Sequence, residues 1–577
     1  MRYFDEYTLP TTTTRHGTIS INRTDYADAT ITFPDGTQAT LTDPKTINRA
    51  WHNDTVYFDN SYVTGFHTTN RYMSLTPGVI MLNDKQKYGT NKKGVPIYLF
   101  RPLSPHYPCM LVASNALRSY PSTPCVYALV SYLEWTTDQK YPRGQCEHIL
   151  GACGDIQADS LARAHYHGLM KQSKLPKLPD ARVLPLGHAR EDFRDHTIFS
   201  IDPIGCVDID DAIHLVQTNT ITYEVGVHIA DVTAFFDIDS DVDLEARSRA
   251  MTVYLPTTQV PILHESLSHN LCSLLPNQDR LALSCILTFT NNIQTSARFV
   301  PSIIRSKHAL AYDDVDQGNV PSSLKPTLEN LSVLTNSHGD SHKLVENLML
   351  RANIAAAECL RTRPHPFILR NHITTLTQSA DRWLQSILES SGTPASYIEA
   401  TTDTPTTQTA HNSIGVPYYT HFTSPIRRYA DQIVHRMIKD TLHTIPTNSI
   451  PNLNQIQKLQ RRFKRDCDIL QIVHKYPQGK HELEAVVLPF RFSSKYADYK
   501  VDVAIPSLQV ILPLQLYHSK TAHVYEATHN DNHLTITNKM TNEEYQIQEG
   551  STIKICLYTM PNEHRFKKKL CVLYMDK

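Results

Sequence analysis

No apolar run in this 577-residue chain is long enough to cross a membrane, because charge interrupts each one. The opening residues, MRYFDEYTLP, lack a basic stretch followed by an apolar one, so a secretory signal is not expected. Cysteine occurs eleven times, singly between Cys109 and Cys571, and never as Cys-x-x-Cys. An odd, irregular set of this kind is no disulfide framework and reads as reduced thiols inside a cell. Cys146, His148 and Cys153 are close in sequence, but without a second ligand cluster they read as ordinary thiols. An excess of one charge is missing too: Lys and Arg number 56 against 57 Asp and Glu. A polyanion could therefore be held only in a local groove whose positive charge is balanced elsewhere. Low-complexity sequence is absent, and the Thr-rich stretch 401–409 is the best candidate for a flexible loop.

What remains is an ordinary globular composition, 41% hydrophobic, in a chain long enough for several domains. Residues 29–33 and 38–41 alternate apolar and polar around the turn Pro34-Asp35-Gly36, and 54–58, 111–113 and 126–130 add strand candidates. Short strands between turns predict two small barrels before residue 187. The middle mixes both signals, with a strand over 223–229 and a helix over 344–360 that is apolar almost all round and so buried. Residues 425–442 predict an amphipathic helix with Ile426, Tyr429, Ile433, Met437 and Ile438 near one face and Arg427, Asp431 and His435 on another. Strands over 484–487, 499–503, 534–536 and 553–556 predict a final five-stranded OB-like barrel. The expected fold is thus a multidomain α/β catalytic domain flanked by all-β OB-fold barrels, two N-terminal and one C-terminal. The expected boundaries are 1–14 for a tail, 15–95, 96–186, 187–475 and 476–577. The basic runs 458–465 and 567–569 read as solvated surface.

Chemistry begins at Asp202, Asp208, Asp210 and Asp211, four aspartates within ten residues among Ile, Val, Cys and Pro. Crowded carboxylates raise one another's pKa, and a divalent cation relieves the repulsion. Oxygen ligands alone favour magnesium, with manganese as a substitute. Asp208 and Asp210 share a side of an extended chain, while Asp211 points away unless the chain turns. A solvated acidic loop or a structural calcium site is the alternative reading. A second constellation runs from Thr420 to Asp431. Ser424 suits an N-cap and Pro425 the first helical position, which would place Arg427 and Arg428 in a first turn where the helix dipole disfavours cations. A bound phosphate would explain them, and Arg427 would offset charge during phosphoryl transfer. Two surface arginines paired with Asp431 would be the plainer account. Together, an aspartate cage and a phosphate-facing arginine are the equipment of metal-assisted phosphodiester hydrolysis.

At these residues the chain resembles the RNase II / RNase R family, and most closely its eukaryotic exosome catalytic-subunit branch. The matching strings come in order: Arg190-Glu191-Asp192-Phe193-Arg194, Ser200 to Asp211, Val225 to Thr233, Val253-Tyr254-Leu255-Pro256, Asn270 to Pro276, Leu348 to Asn353 and Thr420 to Asp431. Asn48 to Val56 is similar to the family's first cold-shock-type OB domain, and Tyr141-Pro142-Arg143-Gly144 with Leu150-Gly151 to its second. The resemblance implies a processive 3′-to-5′ exoribonuclease that hydrolyses single-stranded RNA to nucleoside 5′-monophosphates by a two-magnesium mechanism. It implies that Asp202, Asp208 and Asp211 hold Mg2+, that Asp210 positions the attacking water or second metal, and that Arg427 stabilises the scissile phosphate. It implies that Tyr254 stacks on the terminal base, Tyr312 touches the last nucleotides and Glu346 the terminal ribose. Departures fall at Asn347, Arg351 and His264 and in Asn412 to Gly415. The branch's extra N-terminal endonuclease domain is not expected, nor is stable exosome attachment. The expected protein is monomeric and intracellular, in the cytoplasm rather than the nucleus. Its rival is a catalytically silent RNA-binding scaffold of the same fold.

Overall fold

The computed structural model describes residues 15–22, 28–59, 61–67, 75–84, 88–136, 139–171, 173–177, 189–373, 394–493, 498–516, 525–530 and 532–574. The expected tail 1–14 and the boundary at 186/187 lie outside them. The chain divides into two compact units, one of Met1–Met170, Leu255–Thr257 and Arg462–Lys577, the other of Lys171–Tyr254 and Thr258–Arg461.

The first unit holds the β-rich ends of the chain. Strands Arg15–Ile21, Ala29–Thr32, Gln38–Leu41, Thr55–Asp59 and Tyr62–His67 form one sheet. Their alternating residues Ile19, Ile21, Ile31, Leu41, Val56 and Phe58 bury a common core, as period-two patterning requires. Strands Thr76–Met81, Ile97–Pro102, Met110–Ala113, Cys125–Glu134 and Arg143–Ala152 close a barrel. Thr76–Met81 pairs with Ile97–Pro102 and Cys125–Glu134, so the division between the first two domains falls before Thr76 and not at 95/96. Within the barrel a Cβ on Gly78 would lie 2.3 Å from the buried Phe100 ring, so glycine makes the room that ring fills. Cys153 lies opposite Cys125 on the barrel wall, its N–H donating to the Cys125 carbonyl at 3.2 Å.

The C-terminal strands Gly479–Val487, Thr552–Thr559, Leu570–Tyr574, Val510–Gln515 and Asp498–Ile505 pair in a closed circuit of five. The expected strand at 534–536 is present, but within a separate three-stranded sheet of Tyr525–Asn530, His533–Asn538 and Glu544–Gln548. Its Leu534 and Ile536 pack into the same core as Val503, Ile505 and Ile555. Lys569, expected in solvent, is fully buried because Asp159 pairs with its ammonium at 3.1 Å and the Pro561 carbonyl accepts from it at 2.6 Å. Among the described residues no helix is long and apolar enough to cross a membrane.

The second unit is built on strands Ile198–Asp202, Asp211–Gln217, Thr222–Ala230, Asp279–Thr290 and Ile293–Ala311. The last is long enough to pair with Asp279–Thr290 along its first part and, in parallel, with Ile198–Asp202 along its end. Helix Ser341–Arg361 packs against strands Thr222–Ala230 and Asp279–Thr290, and helix Tyr429–Ile438 packs on that helix. The first buries Leu344, Val345, Leu348, Ala352, Ala356 and Leu360 and exposes Glu346 and Glu358. The second was expected over 425–442 with two faces. It spans ten residues, all of them buried, because it is enclosed by the first helix, strand Phe367–Asn371 and the turn Val232–Ala234. Some of its polar atoms are paired inside the protein, while Asp431 Oδ2, Gln432 Oε1 and His435 Nδ1 are buried without a hydrogen-bond partner. His435 Nε2 meets the Phe422 carbonyl at 2.8 Å, and Lys439, just past the helix, pairs with Asp231 at 2.6 Å. Arg190 completes that pair from the other side at 2.8 Å. Burial opposes the Asp231 charge, and Lys439 and Arg190 outweigh it, holding the carboxyl down at about 2. The Thr-rich stretch proposed as flexible carries a short helical turn, Thr406–Thr409, with Thr409 buried and bonded to the Pro417 carbonyl.

Candidate active site

Sheet register assembles the carboxylates. Strand Ile198–Asp202 ends at Asp202 and its antiparallel neighbour begins at Asp211, so the two ends meet across the loop 203–210. Gly205 takes φ +79° in that loop, a conformation that glycine adopts without strain. The loop turns rather than extends, so the alternation expected for Asp208, Asp210 and Asp211 does not apply. Its return is pinned where the Ser273 hydroxyl accepts from Ile209 N–H at 3.0 Å and the Asp210 carbonyl accepts from Ala230 N–H at 2.9 Å. Asp202 is also the register partner of Ala311, which delivers the next residue, Tyr312, to the same corner.

Asp210 is buried and both its oxygens are engaged. Ile426 N–H donates to Oδ1 at 2.9 Å and Arg427 Nε to Oδ2 at 3.1 Å. Burial pushes its carboxyl up to about 7, against the pull of Arg427 and the Ile426 N–H. Burial likewise raises Asp211 well above the usual carboxylate range, with Asp202 and Asp210 adding repulsion. Asp202 is raised by burial and by Asp208. Its Oδ2 is buried and accepts no hydrogen bond. Among the described residues no three acidic, imidazole or thiol groups stand as a preformed metal cage. The donor chemistry nonetheless fits a hard divalent cation: crowded carboxylates, one with an open buried oxygen, in a site short of positive charge.

The arginine segment differs from its expected form. Ser424 is not an N-cap and Pro425 is not the first helical residue. Residues 424–428 make a turn closed by Arg428 N–H to the Ser424 carbonyl at 3.0 Å, and the helix opens at Tyr429. The Ser424 hydroxyl instead accepts from Arg427 Nη2 at 2.8 Å. Gln432 donates to the Pro425 carbonyl at 2.8 Å and so fixes the peptide whose N–H serves Asp210. Arg428 is the residue paired with Asp431, at 2.8 Å. The Arg427 side chain stays 43% exposed, enough to meet a ligand.

Tyr254 reaches the same place. Thr252 N–H donates to the Arg427 carbonyl at 2.9 Å, and the short strand Val253–Tyr254 follows. The tyrosine is 54% exposed and lies within the fields of Arg427, Asp208 and Asp210. Tyr312 lies within those of Asp211 and Asp202, and its ring stacks on His342 at 3.9 Å. Glu346 is exposed one helical turn beyond His342. The residues that sequence reasoning missed are Ile426 through its peptide N–H, Ser424 through its hydroxyl, Gln432, and His342 behind Tyr312. None carries a local sequence signal. Of the departures, Arg351 bonds Gln294 at 3.1 Å and lies over the Phe289 ring, and Asn347 bonds the Thr335 carbonyl at 2.9 Å.

Fold and site together define an α/β domain with a carboxylate–arginine centre, in a chain that also carries small β-barrels. The RNB domain matches residues 190–320 and 318–444, and the Dis3-like cold-shock domain 2 matches residues 97–162. Residues 190–444 thus carry an RNB domain, and residues 97–162 a Dis3-like cold-shock domain. A probable exosome complex exonuclease RRP44 of Caenorhabditis elegans is 31% identical over 458 residues, 63% of this chain and 47% of that protein. Ribonuclease R of Chlamydia pneumoniae is 31% identical over 368 residues, 51% of this chain and 54% of its own. The chain thus spans about half the length of the curated relatives it matches. Mycoplasma genitalium RNase R shares the fold with a TM-score of 0.67 over 97% of this chain and 100% of its own, at 17% identity. Yeast Ssd1, a pseudonuclease, shares it at 0.56 over 98% of this chain and 97% of its own, at 16% identity.

Proposed function

We propose that this chain is a divalent-metal-dependent 3′-to-5′ exoribonuclease that shortens single-stranded RNA to nucleoside 5′-monophosphates. The observation that carries the reading is the convergence of Asp202, Asp208, Asp210 and Asp211 with a half-exposed Arg427. Asp202, Asp208 and Asp211 would hold magnesium, which would supply an activated water and neutralise charge on the phosphate. Arg427 offers a guanidinium to the non-bridging phosphate oxygens, where charge grows in the transition state. Asp210 keeps that guanidinium in place. Tyr254 presents a ring face to a terminal base without selecting its identity. Tyr312 would touch the last nucleotides and Glu346 the terminal ribose, the group that distinguishes RNA from DNA.

The fold by itself does not carry the reading, since Ssd1 has it and is a pseudonuclease. The intact carboxylate set favours hydrolysis over a silent scaffold. The test is product analysis. Single-stranded RNA incubated with magnesium should yield nucleoside 5′-monophosphates by chromatography, with none after chelation and none from DNA of the same sequence. RNA that is bound but unchanged with magnesium and with manganese would replace the hydrolase by the scaffold.

A further inference from the structure

We propose that Asp431, acting through Ser424, is the positioning residue that aims Arg427. The inference deepens the hydrolase reading and rests on it. Asp431 stands in the first turn of helix Tyr429–Ile438 and is fully buried. Its Oδ1 accepts from Ser424 N–H at 2.8 Å and from Arg428 Nη2 at 2.8 Å. The Ser424 hydroxyl accepts from Arg427 Nη2 at 2.8 Å, and Arg427 Nε reaches Asp210 at 3.1 Å. Helix, turn, guanidinium and carboxylate are thereby linked through polar contacts, each at hydrogen-bonding distance.

Each link has a physical reason. A free arginine side chain samples many rotamers, and that freedom is lost when it is fixed. Two anchors in different directions, Asp210 at Nε and Ser424 at Nη2, set the plane of the guanidinium and leave Nη1 for a phosphate oxygen. Ser424 is almost fully buried, so water does not hold its hydroxyl in place of the protein. Its backbone is fixed by the carboxylate of Asp431, which sits on a rigid, enclosed helix. The same carboxylate occupies Arg428, whose charge also reaches Asp210. Asp431 therefore prevents the neighbouring arginine from replacing Arg427 as the partner of Asp210.

A residue that merely supported the fold would lower activity equally whether or not Arg427 were present. A positioning residue acts only through Arg427, and a double-mutant cycle separates the two. On the full chain, Ser424→Ala and Asp431→Asn are expected to lower kcat for RNA shortening about tenfold or more, with KM within about twofold. In an Arg427→Ala background, Ser424→Ala should cost no more than about twofold further. Equal losses in both backgrounds, or full activity of Ser424→Ala, would overturn the proposal. Should wild type itself leave RNA intact, the hydrolase reading fails separately, and the Arg427 Nε–H signal in a 15N spectrum decides this one. A protected signal in wild type that is lost in Ser424→Ala, the variant least disturbing to the fold, supports the proposal. A signal unchanged in that variant refutes it.

Discussion

Arg427 and Asp210 stand 217 positions apart in sequence and meet at 3.1 Å, Nε to Oδ2. The carboxylate is buried and the guanidinium is half open, so one partner belongs to the interior and the other to whatever binds. The pair joins the carboxylate loop 203–210 to the turn 424–428. Asp210 would be left charged and buried without Arg427, which is costly in a low-dielectric site.

The first expectation concerns that arginine. Arg427→Ala should lower the rate of RNA shortening by about a hundredfold or more, the usual cost of removing one preorganised donor to developing charge. Arg427→Lys should recover only part, because an ammonium cannot hold Asp210, Ser424 and phosphate in one plane. Single-turnover rates on one defined RNA provide the measurement, and a fully active lysine variant would show that charge alone suffices.

The raised carboxylates predict a pH dependence with a definite sign. Asp210 titrates at about 7 in the folded chain, above the ordinary value of 3.8. Its contribution to stability is therefore fully present below pH 3.8 and is lost as pH rises through 7. Asp210→Asn, which never ionises, should accordingly gain melting temperature relative to wild type as the metal-free proteins are taken from pH 5 to pH 7.5. Over the same window the rise in wild-type melting temperature caused by magnesium should grow, because the cation binds the deprotonated form. A magnesium effect that shrinks with pH would contradict this.

A buried polar chain beneath the sheet sets an opposite trend. His214 Nδ1 and His228 Nε2 lie 2.7 Å apart, and His228 Nδ1 meets the Ser284 hydroxyl at 2.6 Å. Burial holds both imidazoles below their usual 6.5, so their contribution is present above 6.5 and is lost as pH falls toward their folded values. Gly226 makes space for the pair, since a Cβ there would lie 2.3 Å from His214 Cε1. Gly226→Ala should cost about 1–3 kcal/mol in denaturant unfolding at neutral pH. Unchanged stability would mean that the rings have room to move.

Tyr254 offers a cleaner functional probe because it is half exposed. Tyr254→Ala should weaken RNA binding by about 1–3 kcal/mol, with little change among sequences ending in different bases and no change in melting temperature. Equal affinity of variant and wild type would remove the tyrosine from the RNA path.

The aspartates and Arg427 were legible because their evidence is local: charge crowded among apolar residues, and arginines beside Ser-Pro. Contacts between distant segments were not legible. Nothing near Asp210 announces that a peptide N–H 216 positions away would occupy one of its oxygens. Ser424-Pro425 satisfies the local rule for a helix start, yet the serine hydroxyl is taken by Arg427 and the helix opens five residues later, at Tyr429. Lys569 read as solvated because a basic run usually is, and only Asp159, far away in sequence, makes its burial affordable. The strand at 534–536 was found by its alternation, but alternation does not say which sheet a strand joins.

The most direct test is a time course with 5′-labelled single-stranded RNA and magnesium, comparing wild type with Asp210→Asn. Wild type should give a ladder that shortens progressively from the 3′ end. The variant should still bind the RNA and leave it at full length. A variant as active as wild type, or a wild type that cuts internally instead of from the end, would contradict the proposed function.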